Sequence, residues 1–176
     1  MRLPAALTCL AALVLLGACA SLTEEECRAG DWFAVGLADG AEGRGTDRLE
    51  AHRRACAPAG ITPDAEAWAK GRERGLRLYC VPQKAHAVGR QGRAIAEGCT
   101  AAELARMRPA WEWGREYRRL ELEADSLRSE IREINRQIAA LAPGAPGRGS
   151  LLARRSLLIS RLGTVELGQR RYATWP

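Results

Sequence analysis

Between Pro109 and Pro143 the apolar residues Tyr117, Leu120, Ala124, Leu127, Ile131, Ile134, Ile138 and Leu141 follow one another in alternating steps of three and four. That spacing keeps one stripe of a helix turned toward a partner for more than three heptads, and no strand period reproduces it. The run Pro143-Gly144-Ala145-Pro146-Gly147-Arg148-Gly149 then breaks the pattern, and Ser150 is placed to cap a second helix carrying Leu151, Leu158, Leu162 and Val165. A short Pro/Gly turn between two such helices predicts an antiparallel helical hairpin, a coiled-coil arm with helices over 103–142 and 151–172 and a turn over 143–150. Gly163 and Gly168 weaken the second helix, so fraying is expected there. The first arm helix balances its acidic residues with Arg, whereas 148–176 holds six Arg against Glu166 alone. Part of that charge is expected to pair with Glu121, Glu123 and Glu130 across the seam.

The other end of the chain reads as an address. Arg2, an apolar run through Leu16 and the small residues Gly17 and Ala18 form an export signal over 1–18, too short to span a bilayer. Leu16-Gly17-Ala18-Cys19 resembles the bacterial lipobox, which implies that Cys19 is lipidated and that 19–23 forms a lipidated tether. Ala20, in place of Asp, implies the outer membrane, with the protein facing the periplasm. The signal is the one segment apolar enough to enter a bilayer, which excludes a polytopic membrane protein, and a length of 176 residues excludes a large multidomain enzyme. The net charge of +6 permits an anionic partner, but all the basic residues except Lys70 and Lys84 are Arg, a skew that GC-rich codons also produce.

Removing Cys9 in the signal and Cys19 at the lipid leaves Cys27, Cys56, Cys80 and Cys99, an even number in an exported chain. Thr23 caps a helix that opens on Glu24-Glu25-Glu26 and is expected to run to about Ala41. A second helix over Asp47–Ala57 ends at Pro58 and Gly60. In an antiparallel hairpin Cys27 meets Cys56, so Cys80 pairs with Cys99 by elimination. Zinc is the rival, because His52 and Cys56 lie four apart and His86 follows Cys80. No Cys-x2-Cys spacing supports it, and neither a metal nor any cofactor is expected.

Trp32, Gly36, Gly40 and Gly43 recur at helical spacing, and Gly71 and Gly75 repeat the step in a helix that Thr62 caps and Pro63 opens. Several glycines on one face predict close helix packing, with Trp32 and Trp68 covering the grooves. The same glycines follow no strand, which excludes a dinucleotide fingerprint. Leu76–Tyr79 is expected to be extended and Val88–Gly92 to be a loop. Glu26-Cys27, Asp31-Trp32, Gly36-x2-Asp39-Gly40-x2-Gly43, His52-x3-Cys56, Gly71-x3-Gly75-Leu76, Tyr79-Cys80, Gly89-x2-Gly92 and Cys99 together resemble the domain-of-unknown-function 2799 family of proteobacterial envelope lipoproteins. The resemblance covers about Glu24 to Cys99, implies an exported, disulfide-bonded module and carries over no catalytic residue; the disulfide-stapled helical domain is expected over 24–102.

Catalysis would need a base, and the chain offers His52 and His86. No Gly-x-Ser-x-Gly elbow or His-Glu-x-x-His motif accompanies them, and every cysteine expected in the mature chain is assigned to a disulfide. Asp31, Asp39 and His52 could converge on the helical hairpin with Arg44 or Arg48 binding an anion, which makes Asp39, Arg44 and His52 the candidate ligand-binding residues. The blander account has Asp39 satisfying turn amides and His52 packing beside the disulfide. The sequence therefore predicts a mostly α, non-enzymatic structural or adaptor lipoprotein. A ligand- or glycan-binding module is the alternative, and a hydrolase a more distant one. Expected partners are the membrane through the lipid, an envelope protein, peptidoglycan or lipopolysaccharide, and a second copy through the seam. Nucleic acid is excluded by compartment.

Overall fold

The computed structural model describes residues 21–176; the expected signal peptide, Cys9 and the lipidation site Cys19 lie outside the described residues. All regular structure among the described residues is helical: α1 Glu24–Ala29, α2 Trp32–Glu42, α3 Arg48–Cys56, a 3-10 turn Ala57–Ala59, α4 Ala65–Tyr79, α5 Pro82–Arg90, α6 Ala101–Ala140 and α7 Arg148–Arg171. Cys27 is bonded to Cys56 and Cys80 to Cys99. This is the mostly α, disulfide-stapled class that the sequence predicts. The contacts divide the chain into one unit of residues 21–79 with 96–98 and another of 80–95 with 99–176.

The first unit is built on α2 against α4. Gly36 and Gly40 face the backbone carbonyls of Trp68 and Arg72, while Gly71 and Gly75 face those of Phe33 and Leu37. A Cβ at any of the four would sit inside van der Waals contact with main chain, so the two helices meet backbone to backbone. Cys27, Trp32, Cys56 and Trp68 form the adjoining core, with Leu22, Leu49 and Ile61 packed on it. Leu22, within the stretch expected to form the lipidated tether, thus packs on the module.

Several expected boundaries move. The first helix does not continue to Ala41: it stops at Ala29, where Gly30 adopts φ +67°, and restarts under a new cap, with Asp31 Oδ1 accepting the Ala34 amide at 3.0 Å. At its start, Thr23 and Glu26 complete the expected cap reciprocally, and the Thr23 amide and hydroxyl hold the Glu26 carboxyl below its ordinary pKa. Thr62 does not cap α4; Asp64 does, accepting the amides of Glu66 and Ala67. Leu76–Tyr79 is the last turn of α4 rather than extended, because Leu76 and Tyr79 continue the buried face of Gly71 and Gly75.

In the second unit α5 lies on α6 by the same device. Gly89 faces the Trp111 carbonyl and Gly114 faces that of His86. Val88–Arg90 is consequently helix and not loop, and His86 is a buried helical residue. The division at Tyr79–Cys80 also corrects the expected boundary near 102: α5 packs with the long helix. Beyond it, α6 and α7 form the antiparallel hairpin. Leu120, Ala124, Leu127 and Val165 make a buried seam with Leu158, Leu162 and Tyr172 beside it, and Ile134 and Ile138 extend the burial. The arm helices begin earlier than expected, at Ala101 and Arg148. Gly147 rather than Ser150 stands at the second N-cap, where the Ser150 hydroxyl donates to the Gly147 carbonyl. Arg148 in turn donates to the Leu141 carbonyl at 2.9 Å, closing the exposed end of α6.

Across the hairpin Arg161 meets Glu123 at 2.7 Å and Arg154 meets Glu130, as expected. Glu121 pairs within its own helix, with Arg118, and Arg128 bonds Glu166 at 2.7 Å, a pair not anticipated. The Arg161 guanidinium, with Arg119 behind it, holds the Glu123 carboxyl below its ordinary value. The expected fraying at Gly163 and Gly168 is not observed: α7 is continuous to Arg171, and its end is held by His86 Nε2, Arg90 and Trp113 Nε1 on the carbonyls of Tyr172, Ala173 and Thr174.

Two glycines of opposite character test this account. Gly40→Ala forces a methyl into the Arg72 backbone and should cost about 1–3 kcal/mol in urea unfolding. Gly163→Ala, with open space at its Cβ position, should stabilise by up to about 1 kcal/mol.

Candidate functional site

Polar groups converge on the middle of α3, one turn before its end at the Cys27–Cys56 bridge. His52 is 1% exposed and Asp39 7%. His52 Nε2 lies 2.7 Å from Asp39 Oδ2, and the same oxygen accepts the Trp68 indole N–H at 2.8 Å. An ionised carboxylate can only accept, so Nε2 carries the hydrogen, and in the neutral tautomer Nδ1 accepts the Ser21 hydroxyl, 2.9 Å away. Arg48 adds charge from the rim, its Nε 3.5 Å from Asp39 Oδ1, and its Nη2 reaches the Ser21 carbonyl at 3.5 Å.

Each side chain is positioned by local structure. Asp39 is carried on the glycine face of α2, between Gly36 and Gly40, where the close approach of α4 delivers the Trp68 indole. His52 projects from the middle of α3, one turn before the bridged Cys56. Ser21 arrives with Leu22, which is packed on the neighbouring apolar cluster.

Of the residues singled out from sequence, Asp39 and His52 do meet. Arg44 does not join them: it is about half exposed, pairs with Glu42 at 2.9 Å, and uses its carbonyl to accept Arg72 Nε. Asp31 is spent as the α2 cap. The expectation that Asp39 serves turn amides is corrected, since its carboxylate takes side-chain donors. Trp68 and Ser21 were not foreseen as members. The Trp68 N–H could have been sought once its ring was placed in the core, whereas nothing in the spacing links Ser21 to His52.

Chemically, Ser21, His52 and Asp39 are hydrogen-bonded in the order of a hydrolytic relay. The ring is reversed with respect to a serine-protease imidazole: Nδ1 faces the hydroxyl and Nε2 the acid. Asp39 is shared with Trp68, as a structural anchor would be. For zinc, the sulfurs of Cys80 and Cys99 come within 4.8 Å of a Glu103 carboxylate oxygen and of each other, but both are bonded in the disulfide and offer no thiolate. His86 is bonded instead to a backbone carbonyl, that of Tyr172.

Residues 31–116 match the model of a family described as a protein of unknown function (DUF2799), which supports that domain family for just under half of the chain. The matched stretch contains Asp39, His52 and Trp68 and ends in α6, two residues past Gly114. No curated protein and no solved structure matches the chain.

If the network is the anchor of the first unit, Asp39→Ala strands the His52 and Trp68 donors in the interior and should cost about 3 kcal/mol in chemical denaturation. Arg44→Ala, on the surface nearby, should change stability by less than about 0.5 kcal/mol.

Proposed function

We propose that this protein, with its DUF2799 segment, is a lipid-anchored adaptor of the bacterial envelope. In this reading it is exported, cleaved before Cys19, and held by acyl chains on the periplasmic side of the outer membrane. It does no chemistry; its α6–α7 hairpin engages an envelope protein. The fold of the residues after Cys19 favours such an anchor. Ser21 is hydrogen-bonded and Leu22 is packed, so only Ala20 would separate the lipid from the folded module.

The observation that carries the adaptor reading is a second apolar stripe on α7. Leu158, Leu162 and Val165 face α6, yet Leu152, Ile159 and Leu167 are 36%, 51% and 67% exposed on another face. Ser156 and Gly163 lie between them, small enough for another helix to approach. A stripe at seven- and eight-residue spacing matches an amphipathic helix lying alongside. Arg155 borders it and Arg170 lies in line with it near the end of α7, and Glu166 is the one acid of α7. We therefore assign the stripe to an acid-flanked amphipathic helix of an envelope protein. A second copy of α7 would set these arginines against one another.

A photo-crosslinking residue replacing Ser156 should give discrete protein adducts in living cells, and Ile159→Glu should abolish them. Adducts to the chain itself, or none, would remove the adaptor reading.

A second reading, hydrolysis, is favoured by the Ser21–His52–Asp39 order alone. An organophosphonate probe for activated serines distinguishes the two. The adaptor reading expects Ser21 to remain unlabelled, while labelling that disappears in His52→Ala would make the protein an enzyme.

A further inference from the structure

The second unit carries a cleft that the adaptor reading does not use. Its floor is the Trp111 ring, fixed by an indole N–H bond to the Arg93 carbonyl at 2.8 Å. One end, about 660 Å³, is lined by Arg93, Arg115, Arg118 and Arg119, with Gln91 and Gly92 at its edge and Leu122 on its wall. The other end, about 250 Å³, is lined by Ala94, Ile95 and Leu104, with Arg108 at its mouth. Trp111 and Ala94 line both, so the two hollows adjoin each other along α6.

Its charge is neutralised only in part. No carboxylate lines either end. Arg118 and Arg119 are paired with Glu121, Glu116 and Glu123. Arg93, Arg108 and Arg115 reach no carboxylate among the described residues, and Arg115 lies over Trp111 at 4.9 Å from the ring centroid. Guanidinium groups with no carboxylate partner beside an aromatic face suit a phosphate oxygen, for which their planar fork is matched. The walls are also rigid. The Cys80–Cys99 bridge closes the loop that supplies Arg93, Ala94 and Ile95, and Gly89 fixes α5 against the Trp111 backbone.

We propose that this groove binds an anionic amphiphile. A phosphorylated head sits against Arg93 and Arg115, and an apolar chain runs over Trp111 onto Ile95 and Leu104. A cationic end joined to an apolar end selects against two simpler ligands: inorganic phosphate leaves the apolar end wet, and a neutral alcohol leaves the arginines unpaired. The shape of a single lipid phosphate ester meets both demands, and the occupant is a phospholipid-type molecule with its head in the groove.

The test uses the full chain in phosphatidylcholine nanodiscs, titrated calorimetrically with hexyl phosphate, inorganic phosphate and hexanol against empty nanodiscs. Hexyl phosphate should bind at least tenfold tighter than inorganic phosphate, with hexanol weaker still. Arg115→Ala should weaken hexyl phosphate about tenfold and leave hexanol unchanged, and Leu104→Asp should reduce hexyl phosphate to the affinity of inorganic phosphate. Circular dichroism checks that both variants keep the wild-type helix content. Since both residues are on the surface of α6, Arg93→Ala is the substitute for a variant that fails this check. Equal binding of hexyl phosphate and inorganic phosphate, binding of hexanol as tight as that of hexyl phosphate, or hexyl phosphate affinity indifferent to Arg115→Ala would each overturn the proposal. None of these outcomes bears on the α7 stripe, so the groove and the adaptor reading stand or fall separately.

Discussion

Close approach of helix backbones at paired glycines is the constraint on which the rest of this structure depends. Four glycines bring α2 and α4 together, and Gly89 with Gly114 does the same for α5 and α6. Glycine in a helix costs about 1 kcal/mol relative to Ala, so each contact begins with a conformational deficit. Dense main-chain packing recovers part of it, because dispersion attraction rises steeply at short separation. Yet glycine buries little apolar area of its own. A core assembled this way, with a single Phe in the chain and two Trp at its centre, needs further means to fix it in one arrangement.

Two such means are visible, and they act on the same elements. The disulfides tie α1 to the end of α3, and the start of α5 to the residue before the Thr100 cap of α6, limiting the freedom of the unfolded chain. The Asp39 carboxylate binds α2 to α3 through His52 and to α4 through Trp68. A buried carboxylate shared by two donors is directional where glycine packing is not. It specifies which way α3 lies on the α2–α4 pair, and Ser21 extends that specification to the segment that follows Cys19. Oxidising conditions are what would keep the first of these restraints in place.

What the sequence made legible was periodic or countable. The seam of Leu120, Ala124, Leu127, Ile134 and Ile138, the two cysteine pairs, and the packing role of Gly36, Gly40, Gly71 and Gly75 could all be read before the fold was known. The failures share a cause, in that glycine and aspartate each carry more than one instruction. Gly30 ends a helix while Gly36, six residues on, continues one; only the Asp31 cap beside Gly30 marks the difference. Gly89 read as a loop residue for the same reason, although its partner Gly114 lay in plain view in α6. Asp39 looked like a turn residue because its two donors stand 13 and 29 positions away. Assigning α5 to the first module followed the disulfide, which marks covalent proximity, whereas the noncovalent contacts of α5 are made with α6.

The long helix α6 gives the second unit its functional logic. Its N-terminal part carries Trp111, the wall of the groove, and the glycine contact to α5; its C-terminal part carries the seam for α7. The family match ends at Glu116, almost at the point where one role gives way to the other. Groove and hairpin are nevertheless built on one continuous helix, whose backbone bonds run unbroken past that point, and α7 returns to the groove's own supports, since its last carbonyls are held by His86, Arg90 and Trp113. The groove and the hairpin therefore rest on the same α5 and α6 supports, and the end of α7 is held by residues of those two helices.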